Sequence, residues 1–211
     1  MSKRNSVSEY LIATCLALAL AAPPFARDAK ANQVASWDTP QANAPLNASS
    51  SDVKAIPIID WLAWPTVGRA QLTWFVFDVY QSRLKTPNGR YIISRDITPH
   101  PLALEINYQR EISSEQLLEA TDDQWQKLGL TAQQRQRGLA RFRALFPTVQ
   151  PGDQLTYVTD GQLGALYFSQ GTDVALLGYI EQEWLNDAFL AIWLSPKTAY
   201  PKLRQQLIAE R

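Results

Sequence analysis

Between Thr66 and Leu194 the apolar residues change their spacing along the chain, from a strand-like pattern to a helical one, back to strands and then to helices. That order constrains the fold more than any other feature. A run of strands, a helix pair, more strands and a second helix pair has no regular βαβ alternation, so it cannot build a parallel sheet through crossover helices. It predicts an α+β architecture: an antiparallel sheet with helices packed on one face.

The individual segments carry this pattern locally. Thr66 to Leu84 is dense in β-branched and aromatic residues (Leu72, Thr73, Trp74, Phe75, Val76, Phe77, Val79, Tyr80) and is bounded by Pro87-Asn88-Gly89, which predicts one long strand ending in a tight turn. Tyr91 to Ile97 and Leu102 to Tyr108 read as two further strands around Pro99-His100-Pro101. Ser113 with Gln116, and Thr131 with Gln134, form capping boxes ahead of two amphipathic helices that meet at Gly129 and stop at Pro147. Gly152 to Tyr157, Gly164 to Phe168 and Val174 to Ile180 return to strand character. Glu181 to Leu194 is apolar on most of its circumference and reads as a buried helix, followed by a shorter one from Tyr200 to Ala209.

The N-terminal quarter has a different composition. Lys3 and Arg4 precede an apolar run from Leu11 to Ala22, shorter than the ~20 residues a membrane span needs, and Ala29-Lys30-Ala31 supplies a small-residue cleavage pattern. Residues 1–31 are therefore expected to be a signal peptide cleaved after Ala31, making the protein periplasmic or secreted, without a stable membrane anchor after cleavage. Residues 32–55, rich in Asn, Ala, Ser, Pro and Gln, are expected to form a disordered linker, and the domain is expected to occupy 56–211.

Charge and chemistry exclude several classes. The chain has 20 basic and 20 acidic residues; cleavage removes Lys3, Arg4, Arg27 and Lys30 with Glu9 and Asp28, leaving 16 and 18. A net of −2 gives no footprint for nucleic acid or anionic lipid. Cys15 is the sole cysteine and lies inside the apolar run, so the mature domain has no thiol for a disulfide, a nucleophile or a metal site. His100, the one histidine, lies between two prolines without visible metal or triad partners and is expected to be an exposed loop residue. Asp122 and Asp123 have no carboxylate partner at glycosidase separation. Arg135, Arg137, Arg141 and Arg143, interleaved with glutamines, read as a solvated helix face. No cofactor and no metal are expected.

Seven tryptophans and eight tyrosines could line an aromatic-binding cleft or simply fill the interface between sheet and helices. Trp74, Tyr80, Trp184 and Trp193 lead the first alternative. Tyr80 and Tyr108, each on a predicted strand with a hydroxyl to place, are the candidates for a ligand's polar end.

Three segments together resemble the chalcone isomerase-like family, in its bacterial exported branch. They are Val67-Gly68 through Leu72-Thr73-Trp74-Phe75-Val76-Phe77-Asp78-Val79-Tyr80 to Leu84; Leu145-Phe146-Pro147 with Gly152-Asp153; and Ala188 to Pro196 with Leu203 and Leu207 beyond, so that the likeness spans 56–209. It implies an open-faced sandwich, an antiparallel sheet with helices on one side and a ligand cleft between them. Plant members close a chalcone to a flavanone; related members without that activity bind fatty acids. Both uses employ an arginine near the start of the long strand, whose rigid fork of donors suits a phenolate, ketone or carboxylate.

This chain places Gln71 and Leu72 where that arginine is expected, and Phe75 where the plant enzymes have a threonine. Arg69 is the nearest substitute, although a regular strand would turn it to the face opposite Leu72. No catalytic residue is assigned. The expected function is a non-catalytic exported protein that takes a small lipophilic ligand, a fatty acid or an aromatic acid, in the sheet–helix cleft, with Arg69, Trp74, Tyr80 and Tyr108 as ligand-binding residues. An intramolecular lyase or isomerase working through tyrosine, and a structural or interaction protein of the envelope, remain open alternatives.

Overall fold

Six strands pair in sequence order, each antiparallel to its neighbour, in a computed structural model that describes residues 61–74 and 77–210. They are β1 (Thr66–Trp74), β2 (Phe77–Lys85), β3 (Leu102–Tyr108), β4 (Gln154–Thr159), β5 (Gly164–Gln170) and β6 (Asp173–Ile180). Helices α1 (Ser114–Lys127) and α2 (Ala132–Arg143) lie between β3 and β4, and α3 (Glu183–Leu194) and α4 (Pro201–Leu207) follow β6. The expected signal peptide and linker, and the expected domain start at Ile56, lie outside the described residues.

Both capping boxes form. The Ser113 and Thr131 side chains accept from the backbone N–H groups of Gln116 and Gln134, whose own side chains accept from the cap N–H groups. Each box satisfies two of the donors a helix start leaves orphaned, which explains why the helix starts were legible.

Alternation divides the sheet into two faces. One carries Tyr80, Leu84, Leu104, Ile106, Tyr108, Leu155, Tyr157 and Leu166, buried in the main core with Leu185, Ala188, Phe189, Ile192 and Trp193 of α3. Phe189 is the hub of this interface, with ring centroids 4.5 Å from Phe142, 4.9 Å from Tyr157 and 5.3 Å from Trp193. The opposite face carries a smaller cluster in which Trp61, from a 3-10 turn at Trp61–Ala63, packs over Ala103, Val158, Ala165 and Tyr167.

Two glycines set the layer spacing. A Cβ at Gly68 would stand 2.1 Å from the Gln206 carbonyl oxygen, so only glycine lets the end of α4 abut β1. A Cβ at Gly164 would stand 1.9 Å from the Tyr157 hydroxyl, so that phenol reaches across β5 only over a bare backbone.

Two expectations need correction. The single long strand at Thr66–Leu84 is a hairpin: Trp74 pairs with Phe77, and Leu72 with Tyr80. No glycine, proline or asparagine marks residues 73–78, so composition could not show the reversal. Tyr91–Ile97 is irregular chain, not a strand. Its polar groups bond locally instead, the Ser94 hydroxyl accepting from the Asp96 N–H and donating to the Asp96 carbonyl, and the Tyr91 hydroxyl donating to the Ile97 carbonyl.

Candidate functional site

Tyr80 and Tyr108 meet on the helix-facing side of the sheet. They are directly opposite each other on β2 and β3, with rings edge to face at 6.1 Å, and the Trp193 indole N–H of α3 donates to the Tyr80 hydroxyl at 2.9 Å. All three side chains are buried. Burial pushes both phenols far above the ordinary tyrosine range, the Trp193 donor offsetting this only in part at Tyr80. Both hydroxyls are therefore held protonated, and Tyr80 is already engaged with a protein partner.

Arg69 lies on the other face. In β1, Ala70 is buried toward the helices and Leu72 packs against the same core, while Arg69, the residue before Ala70, is exposed. The structure thus brings Tyr80 and Tyr108 together and puts a sheet's thickness between them and Arg69. The four expected ligand residues do not form one site. Trp74 ends β1, paired with Phe77, and its side chain lies outside the described residues. Trp184 is half-buried, packed against the edge of the main core with the Arg137 guanidinium 5.7 Å from its ring centre.

The outer face holds a groove of about 620 Å³ with Arg69 on its wall. Strand register builds it in two rows. Arg69 stands opposite Arg83, which stands opposite Glu105, which stands opposite Thr156. One step along, Gln71, Gln81, Asn107 and Gln154 are aligned across the same four strands. Gln71 is oriented by a 2.7 Å hydrogen bond to Gln109. Gln206 of α4 also lines the groove.

The electrostatics of this groove are unbalanced. Glu105 is buried and serves two cations: Arg83 forms an ion pair with it, and the Lys85 ammonium lies 3.3 Å from its second oxygen. Lys85 also donates to the Leu62 carbonyl at 2.8 Å and sits 5.5 Å from the Trp61 ring centre. Arg69, directly across from Arg83, has no acidic partner among the described residues. Like charges opposite each other on neighbouring strands repel, so the site is short of an anion.

The groove was legible only in part. The sequence reaches Arg69 as the nearest substitute for the arginine that the family resemblance implies, and Gln71 only as an occupant of that arginine's place; it does not single out Gln81, Arg83, Glu105, Asn107 or Gln154. Their signal was present: on each strand the polar residues occupy alternate positions, and only the pairing register shows that they converge.

His100 also differs from its expected role. It is half-buried, accepts the Ile92 N–H at Nε2 (3.0 Å), has Nδ1 3.0 Å from the Pro101 carbonyl, and meets Tyr91 edge to face. It holds the 90–100 connection in place. Three of the four arginines of α2 have different partners: Arg135 pairs with Asp122 at 2.7 Å, Arg137 covers Trp184, and Arg141 bonds the Tyr179 carbonyl.

A family model described as chalcone isomerase-like matches residues 69–209. An uncharacterized protein of Haemophilus influenzae is 29% identical over 147 residues, covering 70% of this chain and 69% of the relative.

Proposed function

From the premise that this chain belongs to the chalcone isomerase-like family, we propose that it is an exported, non-catalytic member that binds a small organic acid in the outer-face groove. The observation that carries this reading is the surplus cation: Arg69 and Arg83 face one groove whose single carboxylate, Glu105, is already shared with Lys85. A guanidinium offers a carboxylate two parallel donors, and the aligned amides of Gln81, Asn107 and Gln154 can hydrogen-bond the rest of the molecule. An acyl or aromatic body fits along the aliphatic stems of the same side chains.

Binding has more support than turnover. A phenol acting as general base must ionise near the working pH, and burial drives the Tyr80 and Tyr108 hydroxyls the other way. A lipophilic guest between the layers would have to part Tyr80 from Trp193; the outer groove requires no such opening.

The test is thermal denaturation with hexanoate and benzoate, against hexanol and benzyl alcohol as neutral controls. An acid about 100-fold above its Kd stabilises by about 2.7 kcal/mol, a rise of roughly 5–10 °C for a chain of this size. The acids are expected to raise Tm in the parent and not in Arg69→Ala. Equal shifts in both proteins, or with the alcohols, would count against the reading. Export has its own check: N-terminal sequencing of the extracytoplasmic protein is expected to begin at Asn32 and not at Met1.

A further inference from the structure

Strand β6 ends the sheet, and among the described residues no strand pairs with its outer side. The other terminal strand, β1, is covered: α4 packs against it at Gly68, and two register shifts interrupt it, after Thr66 and after Leu72, whereas β6 has one shift, at Leu177, beyond its exposed first half. Bulges and covering elements are the usual protection of an edge that must not pair. On β6 the residues from Asp173 to Leu176 are all exposed, Val174 at 48% and Leu176 at 39%, with no proline, lysine or arginine among them. An exposed apolar edge of this kind is a template for another strand.

Among the described residues, only one end of the β6 edge is occupied. Arg141 of α2 donates from its guanidinium to the Tyr179 carbonyl, with Nε at 3.0 Å. Its terminal nitrogen lies 3.6 Å from where a Cβ of Gly178 would stand, on the helix side of the sheet.

We propose that β6 pairs with β6 of a second copy of this chain, antiparallel about a two-fold axis through Ala175, joining two sheets into one. The side-chain faces select this register. Val174 and Leu176 lie on the outer face, opposite Ser169 and Tyr167 of β5, while Asp173 and Ala175 lie on the helix side, opposite Gln170 and Phe168. An axis at Ala175 sets Val174 beside the second copy's Leu176, apolar against apolar on one face, and puts the small Ala175 side chains together on the other. It also sets Asp173 opposite Leu177 of the second copy, one residue from Gly178 and so beside that copy's Arg141. The symmetry makes the same carboxylate–guanidinium pair twice, so the surface is complementary in charge to itself. Five residues per strand form a small patch, which predicts a concentration-dependent dimer and not an obligate one. The outer-face groove lies on β1 to β4, away from this edge, and stays open in both copies.

Sedimentation velocity of the chain over a range from roughly 5 to 300 µM tests the pairing, that range bracketing a weak interface. The parent is expected to move from monomer toward dimer. Asp173→Arg and Arg141→Glu, each on an exposed side chain, are expected to weaken association by at least about tenfold, and the double variant carrying both is expected to recover it. Circular dichroism confirms that each variant is folded. A parent that stays monomeric throughout would overturn the proposal. So would a dimer indifferent to both reversals, or a charge swap that fails to restore association in folded protein.

Discussion

The Tyr80–Trp193 hydrogen bond joins β2 to α3 inside the core, so each partner satisfies a group that water cannot reach. Tyr80→Phe leaves the indole N–H unpaired, and Trp193→Phe leaves the phenol unpaired; each is expected to cost about 1–3 kcal/mol in urea unfolding. The double variant should cost less than the two together, because it strands neither group, and strict additivity would show that the bond contributes nothing. Glu105→Gln is expected to cost more, about 3–5 kcal/mol, since it leaves the buried Lys85 without its anion. An unchanged urea midpoint would contradict that assignment. Asp187 sets a pH dependence. Partial burial raises its carboxyl above the ordinary range against the lowering hydrogen bond from Thr98, and the Asp96 and Glu183 charges push the same way as burial. The folded state therefore holds this proton more tightly than the unfolded chain. The resulting stabilisation is complete below the unfolded carboxyl's pKa and is lost as pH rises through the higher folded value. Asp187→Asn, which keeps an acceptor for Thr98, is expected to flatten that part of the stability profile; an unaltered profile would assign it elsewhere.

Among the elements, the helix starts that satisfy themselves locally are the most exactly legible in sequence. The Ser113 and Thr131 boxes name their own helix starts, and Leu102–Tyr108 came out with its bounds intact because it is a central strand buried on both sides. The β1–β2 hairpin looks like one strand in sequence because Trp74 to Phe77 are all strand-favouring residues. Tyr91–Ile97 has strand composition but bonds locally, within itself and to His100, and leaves Ile92 and Ile93 exposed. The junction of α4 with β1 was invisible in sequence, since it depends on a glycine meeting a backbone over a hundred residues away. Gly68→Ala is expected to push α4 off β1, costing about 3 kcal/mol, because carbonyl oxygens of a helix end cannot yield as a side chain would. Faster amide exchange across Pro201–Leu207 would accompany the loss; a neutral substitution would mean that the close approach is not maintained in solution.

At the scale of the whole molecule, the sheet separates two chemistries. The helix side is an aromatic core organised on Phe189, and the outer side is a polar groove built by the register of four strands around Glu105. Fold class and family were legible because both rest on the order of segments. The site was only partly so: Arg69 could be named as the nearest substitute for the arginine that the resemblance implies, but whether it faces Tyr80 depends on which way each side chain leaves the sheet, and its other neighbours come from strands distant in sequence. The two faces differ in which of them an organic acid occupies. Heteronuclear NMR of the chain titrated with benzoate reads both faces at once, through the side-chain amides of Gln81, Asn107 and Gln154 and through the Trp193 indole N–H. The amide signals are expected to move in a saturable way while the indole signal stays fixed; movement of the indole with the amides unchanged would place the guest between the layers and contradict the assignment.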